Sequence, residues 1–221
     1  MNSHIIHTSD FVKEAAAFIV ETAAADISKN GRFVPGLCGG NTPKPVYAEV
    51  ARLGTSLDWS KVFITFSDER CVPPDSAESN FRMAKESLLD VINIPQENIY
   101  RLQGELDPEE AARIYEMKLR ELGVHDLLLL GIGSDGHTAS LFPDTKALEE
   151  TERWVVANYV PKLNTLRLTF TYTLINSARR VCFLVNDSGK KKVIDDILNN
   201  VGNYPAGKVH GREETKWILG F

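Results

Sequence analysis

Hydrophobic and polar side chains follow two patterns along this chain, one typical of helices and one typical of buried strands. Between residues 10 and 28 apolar side chains recur at nearly helical spacing, and Asn30-Gly31 is a typical helix end. Four consecutive leucines, Leu127 to Leu130, form a short apolar run that ends in a glycine. Such a run is characteristic of a strand buried on both faces of a parallel sheet.

The same two patterns predict the other elements. Strands are predicted at 33–38, 62–66, 154–157, 166–170, 181–185 and 217–219. Helices are predicted at 43–53, 79–89 and 107–122, and after Gly189. Pro35 fits its strand only at a start or a bulge, because proline lacks the N–H that a strand ladder needs. Strands and helices that alternate in this way indicate an α/β fold, a mainly parallel sheet with helices on both faces in a Rossmann-like three-layer sandwich. No repeat or linker interrupts the pattern, so residues 1–221 are expected to form a single domain.

The residues after the leucine strand are where a functional site is expected, because ligands bind beyond the carboxyl ends of parallel strands. Gly131, Gly133 and Gly136 allow a tight turn there, and their spacing also matches the dinucleotide-binding fingerprint. That fingerprint requires a following helix, which Pro143 would interrupt. It also requires an acid at the end of the next strand, whereas Glu152 precedes that strand. We therefore predict no dinucleotide cofactor.

His137 is the candidate general base in this loop. A histidine side chain ordinarily titrates near pH ~6.5, which suits proton transfer at neutral pH. Asp135, two residues away, can fix the tautomer of the imidazole and stabilise the imidazolium that forms in catalysis. The alternative is a histidine that only caps the turn. A serine nucleophile is not indicated, because Gly-x-Ser-x-Gly does not occur here.

A second loop follows the strand predicted at 33–38. Gly39 and Gly40 precede Thr42-Pro43, and a proline in the first turn after a threonine cap favours a helix start. A strand, a glycine pair and a helix N-terminus together can bind an anion through backbone N–H groups and the helix dipole. On these residues alone, an ordinary strand-to-helix turn is an equally good interpretation.

Several segments resemble one enzyme family. The segment 131–143, GIGSDGHTASLFP, resembles the signature of the 6-phosphogluconolactonases, which belong to the wider family of glucosamine-6-phosphate isomerases and deaminases. The deaminases share the Gly-x-Gly-x-Asp-Gly-His core but continue differently. The segment GGNTPKPVY is similar to the family's Gly-Gly-Ser-Thr-Pro phosphate loop, with Asn41 where serine is usual and Cys38 where a small polar residue is common. Asp68-Glu69-Arg70 resembles the lactonase form, whereas deaminases usually have Asp-Glu-Tyr.

The resemblance implies hydrolysis of 6-phospho-D-glucono-1,5-lactone to 6-phosphogluconate, a step of the oxidative pentose phosphate pathway. It implies that His137 acts as base, oriented by Asp135, without a metal or a cofactor. Taken alone, a lysine or arginine outside these motifs is usually a surface cation, but Lys162 and Arg167 match anion-binding positions of the family. The substrate-binding residues expected are Gly39, Gly40, Thr42, Asp68, Arg70, Lys162 and Arg167. Two alternatives remain open, a glucosamine-6-phosphate isomerase or deaminase and a sugar-phosphate-binding regulator without catalysis.

Composition and charge set the remaining expectations. A net charge of −5 gives no reason to expect nucleic acid or an anionic membrane as a partner, so an anionic substrate needs a local basic cluster. Three cysteines without Cys-x-x-Cys spacing favour free thiols in a reducing compartment. The N-terminus lacks a signal-peptide pattern, and a cytoplasmic location is expected. The three lysines 190–192 are expected on a solvated helix face, and either a monomer or a homodimer fits the sequence.

Overall fold

The computed structural model describes residues 3–221 and contains two β-sheets. The strands, in chain order, are β1 Ser3–His7, β2 Pro35–Leu37, β3 Thr65–Phe66, β4 Asp68–Arg70, β5 Leu127–Leu130, β6 Val155–Val160, β7 Thr165–Phe170, β8 Arg180–Val185 and β9 Glu214–Leu219. Six of them form an entirely parallel sheet in the order β1-β9-β8-β5-β2-β3. The other three form a small antiparallel sheet in the order β4-β7-β6.

Helices cover both faces of the parallel sheet. They are α1 Phe11–Asn30, α2 Pro43–Leu53, α3 Asn80–Ala84, α4 Pro108–Leu122, α5 Tyr172–Ile175 and α6 Lys191–Leu198. One hydrophobic core packs α1, α2 and α3 against the first face, and a second core packs α4, α5, α6 and the antiparallel sheet against the other. None of the helices within residues 3–221 is long and apolar enough to cross a membrane.

The four leucines of β5 explain why the sheet has two cores. Leu127 and Leu129 point into the first core, whereas Leu128 and Leu130 point into the second, and all four side chains are fully buried. Side chains of a strand alternate between the faces of its sheet, so an unbroken apolar run serves both. Burial of each leucine stabilises the fold by roughly 1.5–3 kcal/mol. This strand therefore lies at the centre of the molecule, as its sequence predicts.

The predicted α/β fold with a mainly parallel sheet is confirmed, and three elements were not anticipated, one of them the short helix α5. Strand β1 was not predicted, and residues 68–70 form a strand although they were treated as polar residues beyond the strand at 62–66. The chain changes sheets at Ser67, whose N–H donates to Leu37 and whose carbonyl accepts from Phe170. Pro35 begins its strand, as proline requires.

The ends of the helices follow their predicted capping residues with one exception. Gly31 ends α1 with a φ of 76°, and the Asp107 side chain accepts from the Glu110 N–H at the start of α4. Thr42 was expected to cap α2, but its hydroxyl makes no capping hydrogen bond, and Pro43 alone marks the helix start. The Thr42 hydroxyl is thus left available at the mouth of the adjoining cleft.

Candidate active site

The cleft lies at the carboxyl ends of the adjacent strands β2 and β5, where the connections to the next strands run in opposite directions. Strand β2 leads outward to β3 on one side and β5 leads to β8 on the other, so the loops that follow β2 and β5 face a common crevice. The crevice has two adjoining lobes, of about 250 and about 240 Å³. All the residues predicted for the site line one lobe or both. The first lobe contains Gly39, Gly40, Thr42, Asp68, Arg70 and His137, and the second contains Asp68, Arg70, Asp135, His137, Lys162 and Arg167.

His137 stands at the junction of the two lobes and is paired with Asp135. The Nδ1 atom of His137 lies 2.6 Å from Asp135 Oδ1, which also accepts from the His137 backbone N–H at 3.3 Å. Because Nδ1 faces the carboxylate, Nε2 is the nitrogen that remains to take a proton. A carboxylate that fixes the imidazole and an open second nitrogen are the two features a histidine general base needs.

The glycines of this loop are required by close approach and by backbone conformation. A Cβ atom at Gly133 would lie 2.2 Å from His137 Cε1 and Nδ1, so any other residue would displace the imidazole. Gly136 has a φ of 76°, a left-handed conformation that disfavours other residues, and the Tyr204 ring fills the space beside it. After Gly136 the chain makes a short turn, and the α-helix that the dinucleotide fingerprint requires does not follow it before β6.

Lys162 extends the His137–Asp135 pair to a third residue. Its ammonium donates to Asp135 Oδ2 at 2.8 Å, from the short 3₁₀ turn Pro161–Leu163 that joins β6 to β7. Partial burial acts to raise the pKa of Asp135, but the hydrogen bonds from Lys162 and His137 outweigh it and hold that pKa at about 2. Asp135 is therefore ionised throughout the neutral range and can balance an imidazolium.

The loop 39–42 presents backbone donors to the first lobe. Within the described chain, the N–H groups of Gly39, Gly40, Asn41 and Thr42 donate to no protein acceptor, and the N-terminus of α2 follows directly. Gly40 has a φ of 97°, and a Cβ atom at Gly39 would lie 1.9 Å from Asn80 Oδ1. Unsatisfied amides at a helix start suit an anion, and here only glycine lets the loop approach Asn80.

The antiparallel sheet supplies the opposite wall of the cleft. Along β4 the side chains alternate, so Asp68 and Arg70 line the cleft whereas Glu69 points away. Glu69 accepts hydrogen bonds from the Ser79 hydroxyl and from the Arg70, Asn80 and Phe81 N–H groups, and burial raises its pKa. Glu69 thus fixes the start of α3 to the sheet. Asp68 accepts from the Ser140 hydroxyl at 2.7 Å and from the Asn80 amide at 3.3 Å.

Arg70 and Arg167 lie directly opposite each other in the β4–β7 ladder. Like charges in such positions destabilise a sheet. Burial and, after it, the charge of Arg70 lower the pKa of Arg167. Neither arginine forms an ion pair with a carboxylate anywhere in residues 3–221, and Arg70 donates instead to the Glu78 carbonyl. An anion bound between them would relieve the repulsion.

Comparison with known proteins agrees with this geometry. Residues 7–217 match the family described as glucosamine-6-phosphate isomerases/6-phosphogluconolactonase. The chain belongs to this family. It is 37% identical to the 6-phosphogluconolactonase of a Synechocystis strain over 227 aligned residues, which cover 97% of this chain and 93% of that protein. The 6-phosphogluconolactonase of Thermotoga maritima has the same fold, with a TM-score of 0.92 over the full length of both chains and 31% identity.

The fold alone does not separate the branches of the family. A monomeric glucosamine-6-phosphate deaminase superposes with a TM-score of 0.83 at 23% identity, over 99% of this chain and 97% of its own. The distinction between isomerase and lactonase must therefore come from residues at the cleft. At these positions Arg70 and the segment Thr138–Ser140 resemble the lactonase form, as noted from the sequence. Ser140 holds Asp68, Thr138 donates to the Gly131 carbonyl at 2.8 Å, and Ala139 between them lines both lobes.

Three residues of the site were missed at the sequence level. Asn80 and Ser140 are buried and orient Asp68, and short polar residues of this kind have no distinctive spacing. Lys190 lines the first lobe, although it was expected on a solvated helix face. Of the three lysines, only Lys191 and Lys192 are exposed, and they lie on α6. The available signal was its place just beyond the carboxyl end of β8, where the other site residues also follow strands.

Cys38 and the acidic residues of the cleft offer little to a metal or a nucleophilic mechanism. Burial raises the pKa of the Cys38 thiol to about 12, so the thiol is protonated at neutral pH and is a poor nucleophile. Within residues 3–221 no three or more histidine, cysteine, aspartate or glutamate side chains are grouped as metal ligands. The His137–Asp135 pair and its surrounding cations are the candidate chemical groups of the cleft.

Proposed function

We propose that this chain hydrolyses 6-phospho-D-glucono-1,5-lactone to 6-phosphogluconate. The observation that carries the proposal is the position of the His137–Asp135 pair at the junction of two lobes that present anion-binding groups. A phosphorylated lactone needs an anion site at one end and a base near its carbonyl carbon at the other. The family membership of the chain and the 6-phosphogluconolactonases among its relatives support the same reaction.

The reaction needs one base and no covalent intermediate, because a lactone is an activated ester. His137 Nε2 takes a proton from a water molecule as the water oxygen attacks the carbonyl carbon, and Asp135 balances the imidazolium. The tetrahedral intermediate then collapses, the bond from C1 to the ring oxygen breaks, and the imidazolium returns its proton to that oxygen. A backbone N–H or Arg70 stabilises the oxyanion while it exists.

The phosphate is bound between the loop 39–42 and the facing arginine pair. Gly39, Gly40 and the Thr42 hydroxyl supply donors from the loop, and Arg70 and Arg167 supply charge from the sheet. Lys190 adds a cation to the first lobe. Lys162, which is bonded to Asp135 in the unliganded cleft, lies within the second lobe and is available to the substrate there. Asp68 accepts from sugar hydroxyls.

An assay of the purified protein on three substrates tests the proposal. The phosphorylated lactone, unphosphorylated gluconolactone and glucosamine 6-phosphate are compared after subtraction of spontaneous lactone hydrolysis. We expect rapid turnover of the phosphorylated lactone, poor turnover of the unphosphorylated one, and none of the amino sugar. Activity on glucosamine 6-phosphate alone would identify a deaminase, and binding of sugar phosphates without turnover would identify a regulator.

The remaining expectations also stand as proposals. The three cysteines form no disulfide within residues 3–221, which supports a reducing, cytoplasmic environment. We expect residues 1–221 to behave as a single domain, because the two cores share the strands of one sheet. The partner is a small phosphorylated sugar lactone, and no nucleic acid or membrane is required.

A further inference from the structure

The imidazole of His137 packs against the Phe142 ring and close to Gly133. On one side the Phe142 ring is stacked on it, with ring centroids 3.9 Å apart and an interplanar angle of 20°. Gly133 also lies beside the imidazole, where even a methyl group would meet the ring. Phe142 is 8% exposed, so its own ring is fixed by the surrounding protein. Hydrogen bonding to Asp135 fixes one edge of the imidazole, and the stacked Phe142 ring fixes its plane.

The local fold brings the two rings together. Thr138 and Leu141 form an isolated antiparallel bridge, and the Leu141 N–H donates to the Thr138 carbonyl at 2.9 Å. His137 and Phe142 are the next residues outward from this bridge, so they face each other as cross-strand neighbours do. The turn requires Ala139 to adopt a left-handed φ of 47°, which is unfavourable for a residue other than glycine.

Hydrogen bonds to Thr145 and Asn158 anchor the turn. The Phe142 carbonyl accepts from the Thr145 hydroxyl at 2.7 Å, and Asn158 of β6 donates to the same hydroxyl at 3.0 Å. Asn158 also donates to the Ser140 carbonyl at 2.9 Å and is buried. Phe142 is therefore held against the imidazole by the antiparallel sheet, which does not itself carry the base.

We propose that Phe142 is a positioning residue for the base and stabilises its protonated form. The inference rests on the proposed lactone hydrolysis, in which His137 becomes an imidazolium. An aromatic face carries negative charge density and attracts a cation stacked on it. The contact is therefore stronger after proton transfer than before it, and an interaction that strengthens along the reaction raises kcat. The substrate itself is bound elsewhere in the cleft.

Two substitutions separate this role from simple packing. Phe142→Leu keeps apolar bulk and removes the aromatic face, whereas Phe142→Tyr keeps the face. We expect Phe142→Leu to lower kcat roughly two- to thirtyfold with little change in KM, the range that a cation–π contact allows. Phe142→Tyr should restore kcat. Phe18→Leu is the matched control, since Phe18 also carries a cation, Lys216, at 4.5 Å, but on the far side of the sheet.

A second measurement reads the contact between the two rings directly in the folded wild-type protein, and variants serve for assignment and comparison. The carbon-bound imidazole protons of His137, assigned by their loss in His137→Gln, should be shifted upfield in NMR spectra by the ring current of Phe142. Phe142→Leu should remove that shift and Phe142→Tyr should keep it. An unshifted wild-type resonance, an unchanged kcat in Phe142→Leu, or a rise in its KM alone would overturn the inference. The proposed function fails separately, if the wild type does not hydrolyse the phosphorylated lactone or if His137→Gln hydrolyses it normally.

Discussion

The two walls of the cleft are built in different ways. The parallel sheet contributes the loops after β2 and β5, which present backbone N–H groups, one hydroxyl and the His137–Asp135 pair. The antiparallel sheet contributes charged side chains, Asp68, Arg70 and Arg167, directly from its strands, with Lys162 at the turn between two of them. We call the wall formed by the loops after β2 and β5 the loop wall, and the wall formed by the antiparallel sheet the strand wall. The loop wall depends on glycines and on its backbone geometry, whereas the strand wall depends on long side chains that can adjust.

This difference predicts a division of labour. Chemistry requires a base held within a fraction of an ångström, and a loop clamped at the end of a buried strand provides such a position. Recognition of an anion requires charge, and a strand whose other face packs in the core can carry it. Substitutions in the loop after β5 should therefore act mainly on kcat, and those in the strand wall mainly on KM.

Loss of the base is expected to have the largest effect. His137→Gln should lower kcat by roughly 10²–10⁴, the usual contribution of a general base, because glutamine cannot take a proton from water. KM should change little, since the loop 39–42 and the cations of the other wall are intact. Steady-state kinetics on the phosphorylated lactone measure both. A variant with near-normal kcat would remove His137 from the mechanism.

Arg167→Gln tests the opposite wall. We expect KM to rise more than kcat falls, with a loss of about tenfold to a hundredfold in kcat/KM, since a hydrogen bond to a charged group contributes roughly 1.5–3 kcal/mol. The effect should vanish with unphosphorylated gluconolactone, which lacks the anion. Arg212→Gln, the same change at an exposed arginine outside the cleft, is the control. Equal losses with both lactones would contradict a phosphate contact.

Gly39→Ala should affect both walls, and therefore both kcat and KM. The new Cβ would lie 1.9 Å from Asn80 Oδ1, and Asn80 in turn orients Asp68, so both walls shift together. We expect a loss of roughly tenfold in kcat/KM that falls on kcat and KM alike, because small displacements at a site are costly. Gly207→Ala, where a Cβ meets only ordinary contacts beyond 3.7 Å, should be neutral. An effect on KM alone would mean that Asn80 does not couple the walls.

The smallest effect concerns stability where the two sheets meet. His125 is fully buried, with Nε2 2.9 Å from the Thr65 hydroxyl and its ring edge-on to Phe170, and burial lowers its pKa to about 4. Unfolded, a histidine titrates near ~6.5, so the unfolded state binds the proton first between these values. The free energy of unfolding should therefore fall with decreasing pH, by at most ~1.4 kcal/mol per unit. Urea unfolding of the wild type and His125→Gln from pH 7 to 4.5 measures this slope, and identical slopes would exclude His125 as its source.

The sequence predicts the loop wall better than the strand wall, for a physical reason. The leucine run of β5 is recognised from its continuous apolar side chains, and the glycines after it are recognised from the backbone conformations they allow. Both signals are local and need no knowledge of distant residues. The strand β4 has no such signal, because Asp68, Glu69 and Arg70 read as a solvated turn until β7 is known to pair with them. Asn80 and Lys190 reach the cleft only through tertiary packing. Strand β1 was missed because one short apolar pair, Ile5-Ile6, carries too little pattern.

The alternation of β4 has a consequence for the insertion or deletion of residues. Asp68 and Arg70 line the cleft because they point to the same face of β4. Glu69, between them, points to the opposite face and is buried. Deletion or insertion of one residue at Ser67 would reverse every side chain of the strand relative to β7. Glu69 would then enter the cleft, Asp68 and Arg70 would be turned towards the interior, and only Arg167 of β7 would remain as a cation on the strands of this wall. A change of one residue in the length of the chain before β4 would therefore remove the excess positive charge that an anionic substrate needs.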